Sequence, residues 1–143
     1  MIKGLIVTHG KLGEVLIEVA ESILERKSGI ESFNMGWNED GSLIVKKIES
    51  YLNRNKENSV IIFTDMFGGS PTNLSLRFNS PQVEILTGIN LPGILKFLTY
   101  KEKNIEFFEL IKLVKNGSKE GINIISEYLG ERKYVKRENQ NSK

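Results

Sequence analysis

Two runs of this sequence, Ile2-Lys3-Gly4-Leu5-Ile6-Val7-Thr8 and Ser59-Val60-Ile61-Ile62-Phe63-Thr64-Asp65, are apolar on nearly every residue rather than on alternate ones. A strand with one wet face alternates; a strand apolar throughout needs cover on both faces, as in a parallel sheet packed between helices. The second run is the strongest strand in the chain and belongs at the centre of the sheet.

The segments between and after these runs supply the cover. From Leu12, the apolar positions Leu12, Val15, Leu16, Val19, Ile23 and Leu24 recur at three and four, which predicts an amphipathic helix stopped by Ser28-Gly29. Ile30 to Trp37 reads as a shorter strand with Phe33 and Met35 on one side. A second helix follows over Ser42 to Asn53, with the stripe Leu43, Ile44, Ile48, Tyr51 and Leu52. After Asp65, two glycines permit a tight turn, Ser70 can cap a helix and Pro71 suits its first position. That helix runs through Leu74, Leu76 and Phe78. Gln82 to Leu86 makes a fourth strand, and Ile89-Asn90-Leu91-Pro92 opens a helix reaching about Tyr100. A further helix spans Ile105 to Asn116 and ends at Gly117 and Gly121. Strands alternating with helices in this way imply right-handed βαβ units: an α/β fold, a three-layer α/β/α sandwich with a mainly parallel sheet in the order 2-1-3-4. Gly121 to Tyr128 fits either a helix or a last edge strand, with the strand favoured. Residues 1–130 form one domain, and 131–143 read as a polar, disordered tail.

Composition removes several classes of function. Twenty Lys plus Arg against 18 Asp plus Glu leave a net charge of +2 with interspersed signs, which argues against a nucleic-acid partner. The absence of cysteine and the presence of one histidine exclude disulfides, thiolate chemistry and a multi-histidine metal site within one chain, and no cofactor is indicated. No leader-like segment opens the chain, and no run approaches the roughly 18 residues of a membrane span, so a cytoplasmic protein is expected.

In an open parallel sheet, ligands sit beyond the carboxyl ends of the strands where strand order reverses. His9, Asp65, the loop Gly68-Gly69-Ser70-Pro71-Thr72-Asn73 and the Gly88 to Pro92 turn all follow strands and share that rim. Order 2-1-3-4 makes the first and third strands neighbours and brings His9 within reach of Asp65. A carboxylate on Nδ1 fixes the tautomer and leaves Nε2 as a nucleophile, which suits a phosphohistidine. Gly68, Gly69, Ser70, Thr72 and Asn73 are the candidate phosphate contacts, at a helix N-terminus; for Ser70 and Thr72, helix capping is the competing role. Trp37, Phe107 and Phe108 read as core or dimer packing.

Val7-Thr8-His9-Gly10, Phe63 to Asn73 and Thr87-Gly88-Ile89-Asn90-Leu91-Pro92 together resemble the enzyme IIA component of the mannose/fructose/sorbose class of the bacterial sugar phosphotransferase system, over about residues 1 to 128. The resemblance implies that His9 accepts a phosphoryl group from the phosphocarrier protein HPr and passes it to a histidine of enzyme IIB, beside a membrane permease. It implies Asp65 as the orienting partner, Ser70 and neighbouring amides as phosphoryl contacts, and a homodimer, formed in some members by exchange of an antiparallel C-terminal edge strand, a role that residues 121–128 would take here. Gly93 departs from the family, where a larger apolar residue such as Met is usual. No Ala/Pro-rich linker follows, so a separate IIB chain is expected.

Three other readings stand beside this one. A regulatory module sensing phosphotransferase flux would carry the same residues. A receiver domain phosphorylated on Asp65 would want carboxylates where Thr8-His9 stand. A hydrolase using Ser70, His9 and Asp65 lacks the Gly-x-Ser-x-Gly elbow.

Overall fold

The computed structural model describes residues 1–130, and the expected tail lies outside them. The four strands are β1 (Ile2–His9), β2 (Glu31–Met35), β3 (Ser59–Thr64) and β4 (Val83–Leu86). The helices are α1 (Leu12–Leu24), α2 (Gly41–Arg54), α3 (Ser70–Ser75) with a 3-10 turn at Leu76–Phe78, α4 (Leu91–Tyr100), α5 (Phe107–Glu120) and α6 (Ile125–Tyr128). The sheet order is β2-β1-β3-β4, all parallel.

Both apolar runs are covered on two sides, as their composition requires. Ile2, Ile6, Ile61 and Phe63 pack under α4 and α5 with Ile94, Phe97, Leu110 and Val114, while Leu5, Val7, Val60 and Ile62 pack under α2 with Ile44, Ile48 and Tyr51. Successive strand residues point to opposite faces, so one strand feeds both cores. No helix among the described residues is long and apolar enough to cross a membrane.

Several local expectations are corrected. The helix α1 ends at Leu24, where Glu25 adopts a left-handed conformation (φ 53°), before Ser28-Gly29 is reached. Its core-facing positions are Gly13, Ile17, Ala20 and Leu24, whereas Leu12, Val15, Val19 and Ile23 of the apolar stripe are exposed. Small residues at 13 and 20 let the helix axis approach β1 closely, and a side chain on Gly13 would collide with Ile6. The α5 helix runs through Gly117 and stops at Gly121, because Gly117 is buried against Lys96 on α4 and serves packing rather than termination.

The expected C-terminal edge strand is absent: Gly121–Ile124 is irregular and Ile125–Tyr128 is a short helix. A β-branched run becomes a strand only by pairing, and bonds such as Tyr128 N to Ile124 O (3.0 Å) and Leu129 N to Ile125 O (2.9 Å) satisfy this backbone locally instead.

Candidate functional site

Parallel pairing of β1 with β3 sets Val7 opposite Thr64, so Asp65 and His9 emerge together from adjacent strand ends. One carboxylate oxygen of Asp65, Oδ2, accepts both the His9 backbone N–H (2.9 Å) and the His9 ring at Nδ1 (2.8 Å). Its other oxygen, Oδ1, accepts the Met66 N–H (3.0 Å). With a carboxylate facing it, Nδ1 carries the ring proton, and Nε2 keeps its lone pair. The His9 and Asp65 side chains are 25 % and 11 % exposed, so the pair lies at the surface without being fully wet.

Partial burial works to raise the Asp65 carboxyl, but the His9 amide, the ring hydrogen bond and the charge of the ring outweigh it and hold the group below its ordinary value. Asp65 is therefore an anion at neutral pH. Its oxygens are occupied by three N–H donors, which leaves it poorly placed as a phosphoryl acceptor and removes the support for a receiver domain.

The turns on either side of the pair depend on special backbone. Gly10 (φ +53°) carries the chain from β1 into α1, and its N–H donates to the Met35 carbonyl (2.8 Å). Thr8, fully buried, accepts the Gly13 N–H on Oγ1 (2.9 Å), which ties β1 to the first turn of α1. Gly68 (φ +85°) reverses the chain after Met66-Phe67. Gly69 then lies against the histidine: a Cβ built there would stand 2.9 Å from His9 Cε1. Cε1 lies between the two ring nitrogens, so this edge of the imidazole borders the Gly68–Ser70 loop.

The five candidate phosphate contacts divide. Ser70 is exposed, and its hydroxyl makes no hydrogen bond among the described residues. Gly69 rather than Ser70 is the N-cap of α3, and Pro71 is the second helical residue instead of the first. The first in-helix bond runs from Asn73 N to Gly69 O (2.9 Å), so the amides of Ser70 and Thr72 precede it. Thr72 Oγ1 is turned inward, donating to the Met66 carbonyl (2.6 Å) and lying 2.7 Å from Thr64 Oγ1, buried. Asn73 Nδ2 donates to the Gly68 carbonyl (3.2 Å). Thr72 and Asn73 thus brace the loop with their side chains, and Ser70 presents one outward.

Of the two packing roles read for Trp37, core or dimer, the structure removes the first. Trp37 is 84 % exposed, neither core nor buried, and its ring lies 5.5 Å from the His9 ring with 23° between their planes. The register that pairs Met35 with His9 put it two residues from this position, but the loop after β2 gave no signal for its return over the imidazole. Met66 and Phe67, also exposed, flank the loop. At the far side of the rim, Asn90 Oδ1 caps α4 through Gly93 N (2.9 Å) while Nδ2 donates to the Ser118 carbonyl (2.9 Å). Gly93 allows that approach, since a side chain there would meet Ser118.

A family model described as "PTS system fructose IIA component" matches residues 3–115. The mannose-specific EIIAB component of Escherichia coli K12 is 28 % identical over 123 residues, 80 % of this chain and 36 % of that one, so the chain spans about a third of its length. The fructose-specific EIIA component of Bacillus subtilis is 29 % identical over 90 residues, 62 % of this chain and 59 % of that one. Among solved structures, the mannose/sorbose-specific IIA subunit from Enterococcus faecalis superposes with a TM-score of 0.77 at 18 % identity, covering 85 % of this chain and 92 % of that one; it shows the shared fold.

Proposed function

The chain belongs to the mannose-type EIIA family of the bacterial sugar phosphotransferase system, and from that membership we propose that it is a phosphoryl carrier, taking the group from phospho-HPr on His9 and passing it to a histidine of a IIB component. The observation that carries this reading is the His9 ring held at Nδ1 by Asp65 at 2.8 Å, with Nε2 free and the Cε1 edge beside the glycine loop. The Nε2 lone pair forms the new nitrogen–phosphorus bond. The phosphorus–donor bond breaks, and its electron pair leaves with the donor. The ring keeps its Nδ1 proton and gains a positive charge, which the Asp65 carboxylate balances, and onward transfer to IIB reverses the step. Gly68, Gly69 and Ser70 supply the cradle for the phosphoryl oxygens, with Thr72 and Asn73 holding its shape.

In the same reading the protein works as a homodimer at the cytoplasmic side of a permease. Apolar side chains left exposed at Ile122, Ile124, Ile125 and Tyr128 are consistent with a second copy.

Incubation with phosphoenolpyruvate, enzyme I and HPr tests the proposal. It should place one acid-labile, base-stable phosphate on the chain, and His9→Ala should remove it entirely. Full labelling of His9→Ala would overturn the assignment, and labelled protein that never passes phosphate to a IIB partner would favour a regulatory role.

A further inference from the structure

We infer that Trp37 is a positioning residue for His9, an indole lid that fixes the tilt of the imidazole and favours its phosphorylated, cationic form. The inference rests on the carrier reading above.

Within the site the imidazole is anchored at one edge atom, Nδ1, by Asp65, and position 69, being glycine, puts no side chain against the Cε1 edge. A hydrogen bond at one atom acts as a pivot and leaves the ring free to tilt about it. A contact on the ring face opposes that tilt, and Trp37 provides it at 5.5 Å and 23°, within the range of an offset stack. The strand register makes this placement reproducible. Met35 pairs with His9, Gly10 N–H is bonded to the Met35 carbonyl, and Trp37 follows two residues later.

The indole has no other aromatic partner among the described residues, and at 84 % exposure it adds little to the core. A large apolar side chain left in water over the one histidine is accounted for by what it does to that histidine. When Nε2 takes the phosphoryl group and Nδ1 keeps its proton, the ring becomes cationic and faces the negative π surface of the indole. At an exposed site such an interaction favours the charged ring by about 2- to 5-fold.

The chain contains one tryptophan and one histidine, so each has an unambiguous spectroscopic signal. The test compares the wild type with Trp37→Leu, which keeps apolar bulk without a π face, and Trp37→Phe, which restores a smaller one; His9→Gln is the control. In proton NMR the carbon-bound ring protons of His9 should move downfield in Trp37→Leu as the ring current is lost, and return part of the way in Trp37→Phe. At equilibrium with phospho-HPr, Trp37→Leu should lower the phosphorylated-to-free ratio about 2- to 5-fold, with Trp37→Phe between it and the wild type. Tryptophan emission should change on phosphorylation in the wild type and stay constant in His9→Gln.

Unchanged His9 ring shifts in Trp37→Leu would overturn the stack itself. Shifted rings with a wild-type phosphorylation ratio, or no rescue by Trp37→Phe, would overturn the positioning role. Absence of label on the wild type would overturn the carrier reading, and the positioning role with it, while the ring shifts would still report on the stack separately.

Discussion

Replacing Gly69 by alanine should disable the site while leaving the fold intact. The backbone at Gly69, φ −77° and ψ 164°, is extended and suits any residue, so the substitution carries no conformational strain. What it adds is one methyl group 2.9 Å from His9 Cε1 and 3.1 Å from Met66 Cγ. Met66 is exposed and can swing aside. The imidazole is held at Nδ1 by Asp65 and covered by Trp37, so relieving the clash to an ordinary contact of 3.4 Å or more moves the ring by about 0.5 Å. Such a shift lengthens the 2.8 Å bond to Asp65 toward the limit of a useful hydrogen bond and draws Nε2 away from the loop. Since a misplacement of about 1 Å can cost on the order of 10²-fold in rate, phosphorylation should slow by about 10- to 100-fold. Stability should change by less than about 1 kcal/mol, a melting shift of a few degrees at most. Rapid-quench single-turnover transfer from phospho-HPr measures the rate and a thermal melt the fold. A wild-type rate in Gly69→Ala would refute the idea that this glycine exists to admit the histidine.

Thr72→Val should destabilise the protein by about 1 to 3 kcal/mol, measured by urea unfolding, because the buried Thr64 hydroxyl loses its partner and the Met66 carbonyl keeps only the Gly69 N–H. Ser70→Ala should leave the melting curve unchanged and slow single-turnover phosphorylation about 10-fold, the cost of roughly one hydrogen bond to a charged group. Burial, with the Glu31 charge beside it, pushes the Tyr51 hydroxyl up to about 12. The folded state therefore keeps a proton that the unfolded chain loses near pH 10, and stability present below pH 10 declines by roughly 2 to 3 kcal/mol as pH rises to about 12. Tyr51→Phe should remove that component of the alkaline slope in denaturant titrations.

The parts of the fold legible in the sequence are those written in local chemistry. Residues apolar on both faces at 2–8 and 59–65 dictate buried parallel strands, and the resulting order puts His9 beside Asp65. Which of two apolar stripes on α1 faces the sheet is a different kind of information. Leu12, Val15, Val19 and Ile23 have the right period, yet the buried side is chosen by Gly13 and Ala20, whose value lies in being small at a close approach. Ile122, Ile124 and Ile125 have strand propensity, but a strand requires a neighbour, and propensity does not say whether one is present. In the site, the glycines and Ser70 could be placed on the rim from the sequence. The inward turn of Thr72 and the return of Trp37 over His9 depend on side-chain directions in loops, where no period exists to reveal them.

The His9–Asp65 pair joins residues 56 positions apart and exists only where β1 and β3 are in register. A slip of one residue would exchange the two core faces of β1, sending each side chain into the wrong core, and carry the histidine off the carboxylate at the same time. A chain emerging from the ribosome therefore has no His9–Asp65 pair until its central strands have paired, and a misassembled one never acquires it. On the carrier reading proposed above, phosphorylation competence would double as a report on completed folding, and the acid-labile label would serve as a quality measure for refolded or truncated forms of the chain.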